Sequence, residues 1–295
     1  MRSKRRFSQY DNIGYVFILP FFLFFLLFIF APIIINLILS FTRFNLSRIT
    51  FIGLTNYLDL FQDKFFLRSL VNTGIYTFFT LLFTMTISLF LAVLLNRGLR
   101  GTWIFRTSFF LPHVISMVAV AMVWFWMYEP TYGLINRFLA TLGIPGQLWL
   151  HDAKLALPSI IIMSIWKKLG YFMVIYLAGL QTIPSYLHEA AAIDGASQWQ
   201  QLRHITIPML RPVTFFLFVT GMIFNFNVFE QVNILTGGGP MSSTTTVVHQ
   251  IYIRAFQDFV MGYAAAQAIF VLIIVALLTM VFFRYGSRGQ DIEVA

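Results

Sequence analysis

Seven polar side chains lie in stretches of the sequence that are otherwise apolar, and they are the strongest candidates for handling a solute. Asn225, Asn227, Glu230, Gln231 and Asn233 interrupt a run that also holds Phe224, Phe226 and Phe229. Lys167 and Lys168 fall near the middle of another apolar run. Amides and a carboxylate beside aromatic rings suit the hydroxyls and the apolar face of a sugar, and a lysine at that depth costs several kcal/mol unless it meets water or a counter-ion. Read as one helix, the first cluster places Asn227, Glu230 and Ile234 on one side, with Phe226 and Asn233 a heptad apart. One lysine is expected to face the same cavity with Glu230 as its counter-ion, and a fixed positive charge there favours an anionic solute such as a phosphorylated polyol. The plainer alternatives are amides that only bond neighbouring spans, a Glu230 at the outer surface, and a lysine that snorkels or closes a salt bridge.

Catalysis has no comparable set of residues. There is no Cys, hence no thiol nucleophile, disulfide framework or Cys-based metal site. No His, Asp or Glu spacing makes a metal or acid/base site, so no catalytic residue and no metal ligand is assigned. His113, beside Pro112, reads as a helix-end residue. No Gly-Lys dipeptide occurs, so the phosphate-cradling loop of an ATPase is missing and no cofactor is expected on this chain. The net charge of +9 comes from basic residues at the ends of apolar runs rather than from a patch interleaved with aromatics, which argues against nucleic acid.

The elements that carry these residues are membrane spans. With 59% hydrophobic residues, 11% charged and 35 Phe, the chain is far from the roughly 25% charged residues of a soluble domain. Runs of about 20 apolar residues, long enough to cross a hydrocarbon core, occur at 14–40, 69–95, 109–128, 155–181, 212–235 and 263–283. The first is longer than the roughly 7–15 residues of a signal-peptide core and is expected to be retained. Placing both termini in the cytoplasm puts Arg2, Lys4, Arg5, Arg6, Arg97, Arg100, Arg106, Arg203, Arg211, Arg284 and Arg288 inside. Only Arg43, Arg48, Lys64, Arg68, Arg137, Lys154 and Arg254 then lie outside, the sense that positive charge favours. The expected organisation is a basic cytoplasmic segment at 1–13, six spans over 14–285 and a cytoplasmic tail at 286–295.

Between the fourth and fifth runs lies a polar, cytoplasm-facing stretch, 184–212. Pro184 and Ser185 open a helix, Gly195 breaks it, and Ser197 with Gln200 has the spacing of a capping box for a second helix ending before Pro208, which has no amide hydrogen to continue it. Glu189 and Asp194 flank the turn, while Ala190, Ala191, Ala192 and Ala196 leave room for another protein's groove and the acids offer it charge-assisted hydrogen bonds. Past the fifth run, Gly237, Gly238, Gly239 and Pro240 form an external turn that no helix tolerates.

EAA at Glu189–Ala191, then Asp194 and Gly195, then Ile205, Ile207 and Pro208 resemble the signature loop of permease subunits of bacterial ABC importers. The runs at 175–197 and 227–246 are similar to carbohydrate-type members, related to the maltose and glycerol-phosphate systems, and the resemblance covers most of the chain. It implies an all-α, six-span permease of the type I importer fold in the bacterial inner membrane. It further implies that Glu189, Ala190, Ala191, Asp194, Gly195, Ala196, Ile205 and Pro208 seat in the ATP-binding subunit. Gly237, Gly238, Gly239 and Pro240 are expected to meet a solute-binding protein, with Asn56, Tyr57, Asp59 and Asp63 as less supported neighbours. The implied partners are a second homologous permease, two ATP-binding subunits carrying ATP and Mg, and that external binding protein. The implied substrate is a sugar or sugar-like solute. An amino-acid or peptide importer shares the loop and is the nearest alternative; a secondary transporter needs no such loop.

Overall fold

Uncharged apolar runs fold as helices because a backbone without water must bond to itself, and a helix does so within one segment. The computed structural model describes residues 9–45, 48–96 and 101–286. Arg2, Lys4, Arg5, Arg6, Arg97, Arg100 and Arg288, on which much of the expected orientation rests, lie outside them, as does the tail beyond residue 286. The chain forms two compact units, Met1–Gln62 with Ile251–Val271, and Asp63–Gln250 with Leu272–Ala295.

In the first unit, α1 (Gln9–Phe25) passes through a π-helical stretch, Leu26–Phe30, into α2 (Ala31–Ser40). An antiparallel ribbon, β1 (Thr42–Phe44) on β2 (Ile49–Phe51), follows with Arg43 opposite Thr50. The fold is mostly helical, as expected, and this short ribbon is an addition to it: β-branched and aromatic residues there favour extended chain. In α3 (Thr55–Leu60), Asn56 donates to the Ser40 and Thr42 carbonyls at 2.8 and 2.9 Å. It is therefore committed to holding the end of α2 rather than open to a docking partner.

The second unit begins with α4 (Lys64–Leu95), capped by Asp63, whose carboxylate accepts from the Phe65 and Phe66 amides. Ser69, Thr73, Thr77, Thr80, Thr84 and Ser88 form a buried row of small hydroxyl residues along it, and Ser88 Oγ donates to the Leu169 carbonyl at 2.8 Å. Small residues let helices approach closely in a bilayer, where apolar packing alone gives little drive. Then come α5 (Thr102–Val114), α6 (Met117–Met127), α7 (Leu134–Thr141) and α8 (Ala156–Gln181), the last packed on α4 and α5. The loop at 184–212 folds as α9 (Ser185–Ile193), α10 (Gln198–Gln201), a π-helical stretch at Leu202–Thr206 and α11 (Ile207–Met209). Beyond it lie α12 (Arg211–Phe226), α13 (Glu230–Leu235), α14 (Val247–Tyr252), a third π-helical stretch and α15 (Met261–Gly286), whose first part belongs to the first unit.

Four helical stretches, 14–40, 64–95, 156–181 and 261–284, are long and apolar enough to span a membrane, and two bent pairs raise the count to six if each pair is one span. The second bent pair is Gln198–Met209 with Arg211–Phe226, at 62°, and two expected spans differ from the sequence expectation. The run expected at 109–128 is α5 and α6, which meet at 99° because Ile115 and Ser116 are extended. The run expected at 212–235 breaks at Asn227–Phe229, so Asn227 and Glu230 do not share a helix face. At 16 residues, α12 is only about 24 Å long.

Candidate functional site

A cavity of about 640 Å³ opens where α8, the α5–α6 bend, α12 and the break before α13 come together, a volume in the range of small-solute sites. Lys167, Lys168, Asn225, Asn227, Glu230 and Gln231 all line it, so six of the seven intramembrane polar residues singled out from sequence converge. Asn233 is the exception, exposed on α13 away from the cavity lining. Tyr171, Phe172, Phe224 and Phe229 supply rings, and the His113 ring stacks on Tyr171 at 4.7 Å.

The two lysines diverge because neighbours on a helix point roughly 100° apart. Lys167, buried, donates to the carbonyls of Pro112, His113 and Ile115 at 3.0, 3.3 and 2.5 Å. It fastens the carbonyl end of α5, where the helix dipole is negative, to the middle of α8. Lys168 instead donates to Asn225 Oδ1 and, at 3.4 Å, to Tyr76 Oη, and its ammonium stands 5.5 Å from the Tyr76 ring centre. The same hydroxyl accepts from Gln231 Nε2 at 2.8 Å. Tyr76 is thus a fully buried hub joining α4, α8 and α13 and, through Lys168, Asn225 of α12, and nothing in the aromatic-rich run around it marks it out. No carboxylate of the described residues forms an ion pair with either lysine, so Glu230 shares the cavity with them without closing the salt bridge expected of it.

The break at Asn227–Phe229 keeps its polar backbone satisfied. Thr246 Oγ1 donates to the Val228 carbonyl at 2.8 Å and Asn227 Nδ2 to the Ile223 carbonyl at 2.9 Å, as irregular chain beside a cavity requires. The glycine cluster closes on the same region. Thr245 Oγ1 donates to the Gly238 carbonyl and Thr244 Oγ1 to that of Gly239, while Asn72 Nδ2 of α4 donates to the Ser242 and Thr245 carbonyls. Gly237 and Gly238 have φ of +56° and +87°, values that side chains disfavour. Gly237 is exposed, Gly238 is buried against Thr245 and His249, and Gly239 and Pro240 are half-buried. Met241, 78% exposed, is the outermost apolar residue here.

In the loop at 184–212, α9 ends in a Schellman turn: Ala196 N donates to the Ala191 carbonyl and Gly195 N to that of Ala192, with Gly195 at φ +81°. The capping box of Ser197 and Gln200 is present. Pro208 does not end the second helix. The π-helical stretch before it widens the turn, and the helix runs on to Met209. Glu189, Ala190, Asp194 and Gly195 are exposed, whereas Ala191, Ala196, Ile205 and Pro208 are half-buried. The sequence reading overlooked three large apolar side chains on this loop, Tyr186, Ile193 and Trp199, exposed by 64, 87 and 66%. Their amphipathic spacing around a positive-φ glycine was the available signal.

Known proteins sharing these features agree on the family. A probable ABC transporter permease protein of Bacillus subtilis, YurN, is 39% identical over 96% of this chain and 99% of its own length. The sn-glycerol-3-phosphate transport system permease protein UgpA of Yersinia enterocolitica is 36% identical over 81% of each chain. A chain in the crystal structure of a bacterial ABC transporter that imports the acidic polysaccharide alginate superposes with a TM-score of 0.85 at 28% identity, covering 95% of this chain and 96% of its own. Residues 84–290 match the family model for permease components of this transport class, and the chain belongs to the family of binding-protein-dependent transport system inner membrane components.

Proposed function

We propose that this ABC importer permease subunit carries a sugar or sugar-like solute into the cytoplasm, the cavity at the α12–α13 break being part of the solute's path. The observation that carries this reading is the convergence of amides, one carboxylate and aromatic rings on that cavity. The named solute of the Yersinia relative, a glycerol phosphate, and the alginate pentasaccharide bound to the periplasmic protein in complex with a bacterial alginate ABC transporter of similar structure both support it. The chain spans the bacterial inner membrane six times, α5 with α6 counting as one bent span and α12 as the fifth, with both termini in the cytoplasm.

A second, homologous permease completes the pathway, ATP is hydrolysed on two separate subunits, and an external binding protein delivers the solute. Glu189, Ala190, Ala191, Asp194, Gly195, Ala196, Ile205 and Pro208, together with exposed Tyr186, Ile193 and Trp199, form the surface for the ATP-binding subunit. Gly237 and its neighbours Gly238, Gly239 and Pro240 shape the edge that meets the binding protein. The test is ATPase activity of the reconstituted complex against mono-, di- and oligosaccharides and glycerol phosphates. Stimulation that requires both a carbohydrate and the binding protein is the expected result. A response to amino acids or peptides alone would overturn the substrate class and leave the importer assignment standing.

A further inference from the structure

We propose that the cavity takes an acidic sugar or polyol, with its negative charge at one end as a carboxylate or phosphate, and that Lys168 is the residue that binds that anionic group. This rests on the transport reading above and deepens it. The argument begins with counting protons on two ammonium groups, each of which has three to donate. Lys167 spends all three on the carbonyls of Pro112, His113 and Ile115 and is 7% exposed, so it has nothing left for a solute. Lys168 has two acceptors, Tyr76 Oη and Asn225 Oδ1, both neutral, and it is only half-buried and lines the cavity. One proton and a full charge therefore remain available.

An ammonium midway along a membrane-spanning helix is costly unless something of opposite charge or water faces it. Among the described residues no carboxylate stands within 4.0 Å of it. Glu230, exposed on the first turn of α13 and lining the same cavity, keeps the two charges apart across the space. That separation sets the polarity of the occupant. An anionic group at Lys168 makes a charge-assisted hydrogen bond, and hydroxyls further along the molecule donate to the Glu230 carboxylate. A neutral sugar meets Lys168 with dipoles alone, a weaker interaction where the dielectric is low, and a solute charged along its whole length is repelled by Glu230.

The test uses the complex reconstituted in proteoliposomes with its partner subunits and binding protein. ATPase stimulation and uptake are read for neutral mono- and disaccharides, for their counterparts carrying a single uronate at one end, and for glycerol phosphates beside glycerol. The same binding protein serves Lys168→Gln, Lys168→Arg and the parent, so differences between them report on the permease cavity. Acidic solutes are expected to be imported in preference to their neutral counterparts. KM for them should rise roughly tenfold or more in Lys168→Gln, the loss of one charge-assisted hydrogen bond, and should be largely restored in Lys168→Arg. Uronates against glycerol phosphates then tells which acid group is the natural one. Equal import of neutral and acidic solutes by the parent, which needs no variant that assembles, overturns the inference and leaves the transport reading intact. A Lys168→Gln defect of the same size for both classes overturns it too, because Lys168 would then be neutralised by another subunit. Silence to every carbohydrate and glycerol phosphate overturns both readings.

Discussion

Gly195 gives the sharpest test of the loop at 184–212, because its structural cost separates cleanly from packing. It sits at φ +81° in the turn that reverses the chain between α9 and α10, and a side chain built there meets no atom within 4 Å. Replacing it therefore disturbs nothing but the backbone. Holding an L-residue in the left-handed region costs about 1–2 kcal/mol, highest for β-branched residues and lowest for Asn, and that range biases the turn by a factor of about 5 to 30. Gly195→Val should weaken binding of the ATP-binding subunit to the solubilised permease by about that factor, and Gly195→Asn should change it little. Thermal unfolding of the permease alone should differ between the two by no more than that backbone strain, since the turn's side-chain surroundings are open. Equal binding by parent, Asn and Val forms would mean that the turn is not what the partner grips, and the assignment of Glu189–Ala196 would fall with it.

Three further outcomes follow from the same structure. Lys167→Met leaves the carbonyls of Pro112, His113 and Ile115 without their donor, and at about 1–3 kcal/mol for a buried unsatisfied group the unfolding temperature in detergent should drop by several degrees; an unchanged value would mean that the α5–α6 bend holds itself. Gly238→Ala forces a side chain to φ +87° and places a methyl 2.6 Å from Thr245 Oγ1, so the segment from 237 to 246 should become sensitive to limited proteolysis, and parent-like resistance would count against the tight turn. Burial lowers the pKa of His249 below its usual 6.5, so the unfolded chain takes up a proton that the folded one refuses. Stability is therefore full above about pH 6.5 and should decline as pH falls below it, and His249→Leu should flatten that dependence in melts across roughly pH 5 to 7.5.

The straight spans were legible in the sequence because a bilayer demands about 20 apolar residues in a row, and the stretch at 14–40 ends where it was expected to. Local signals were legible for the same reason: the Ser197–Gln200 box and the glycine at 195 act on their immediate neighbours. What could not be read is where a helix breaks for tertiary reasons. Asn227, Val228 and Phe229 would suit an ordinary helix, and their unwinding is stabilised by the Thr246 hydroxyl, eighteen residues away. Lys167 and Lys168 are interchangeable in sequence, and only the register of α8 against α5 makes one a fastener and leaves the other facing the cavity. Tyr76 was hidden among aromatic residues whose commonest role is to face lipid.

Two contacts make α5 and α8 a single mechanical part. Lys167 holds the last carbonyls of α5, and at Gly170 the backbone of α8 lies so close to that of Phe109 and Phe110 that a methyl group could not fit between them. Only residues 182–184 separate the end of α8 from α9. A load applied to α9 therefore has a stiff lever to act on, one that ends at the wall of the cavity. The α5–α6 elbow should keep its angle through the working cycle, so distances measured by paired spin labels on α5 and α8 should stay constant while those from α8 to α12 change.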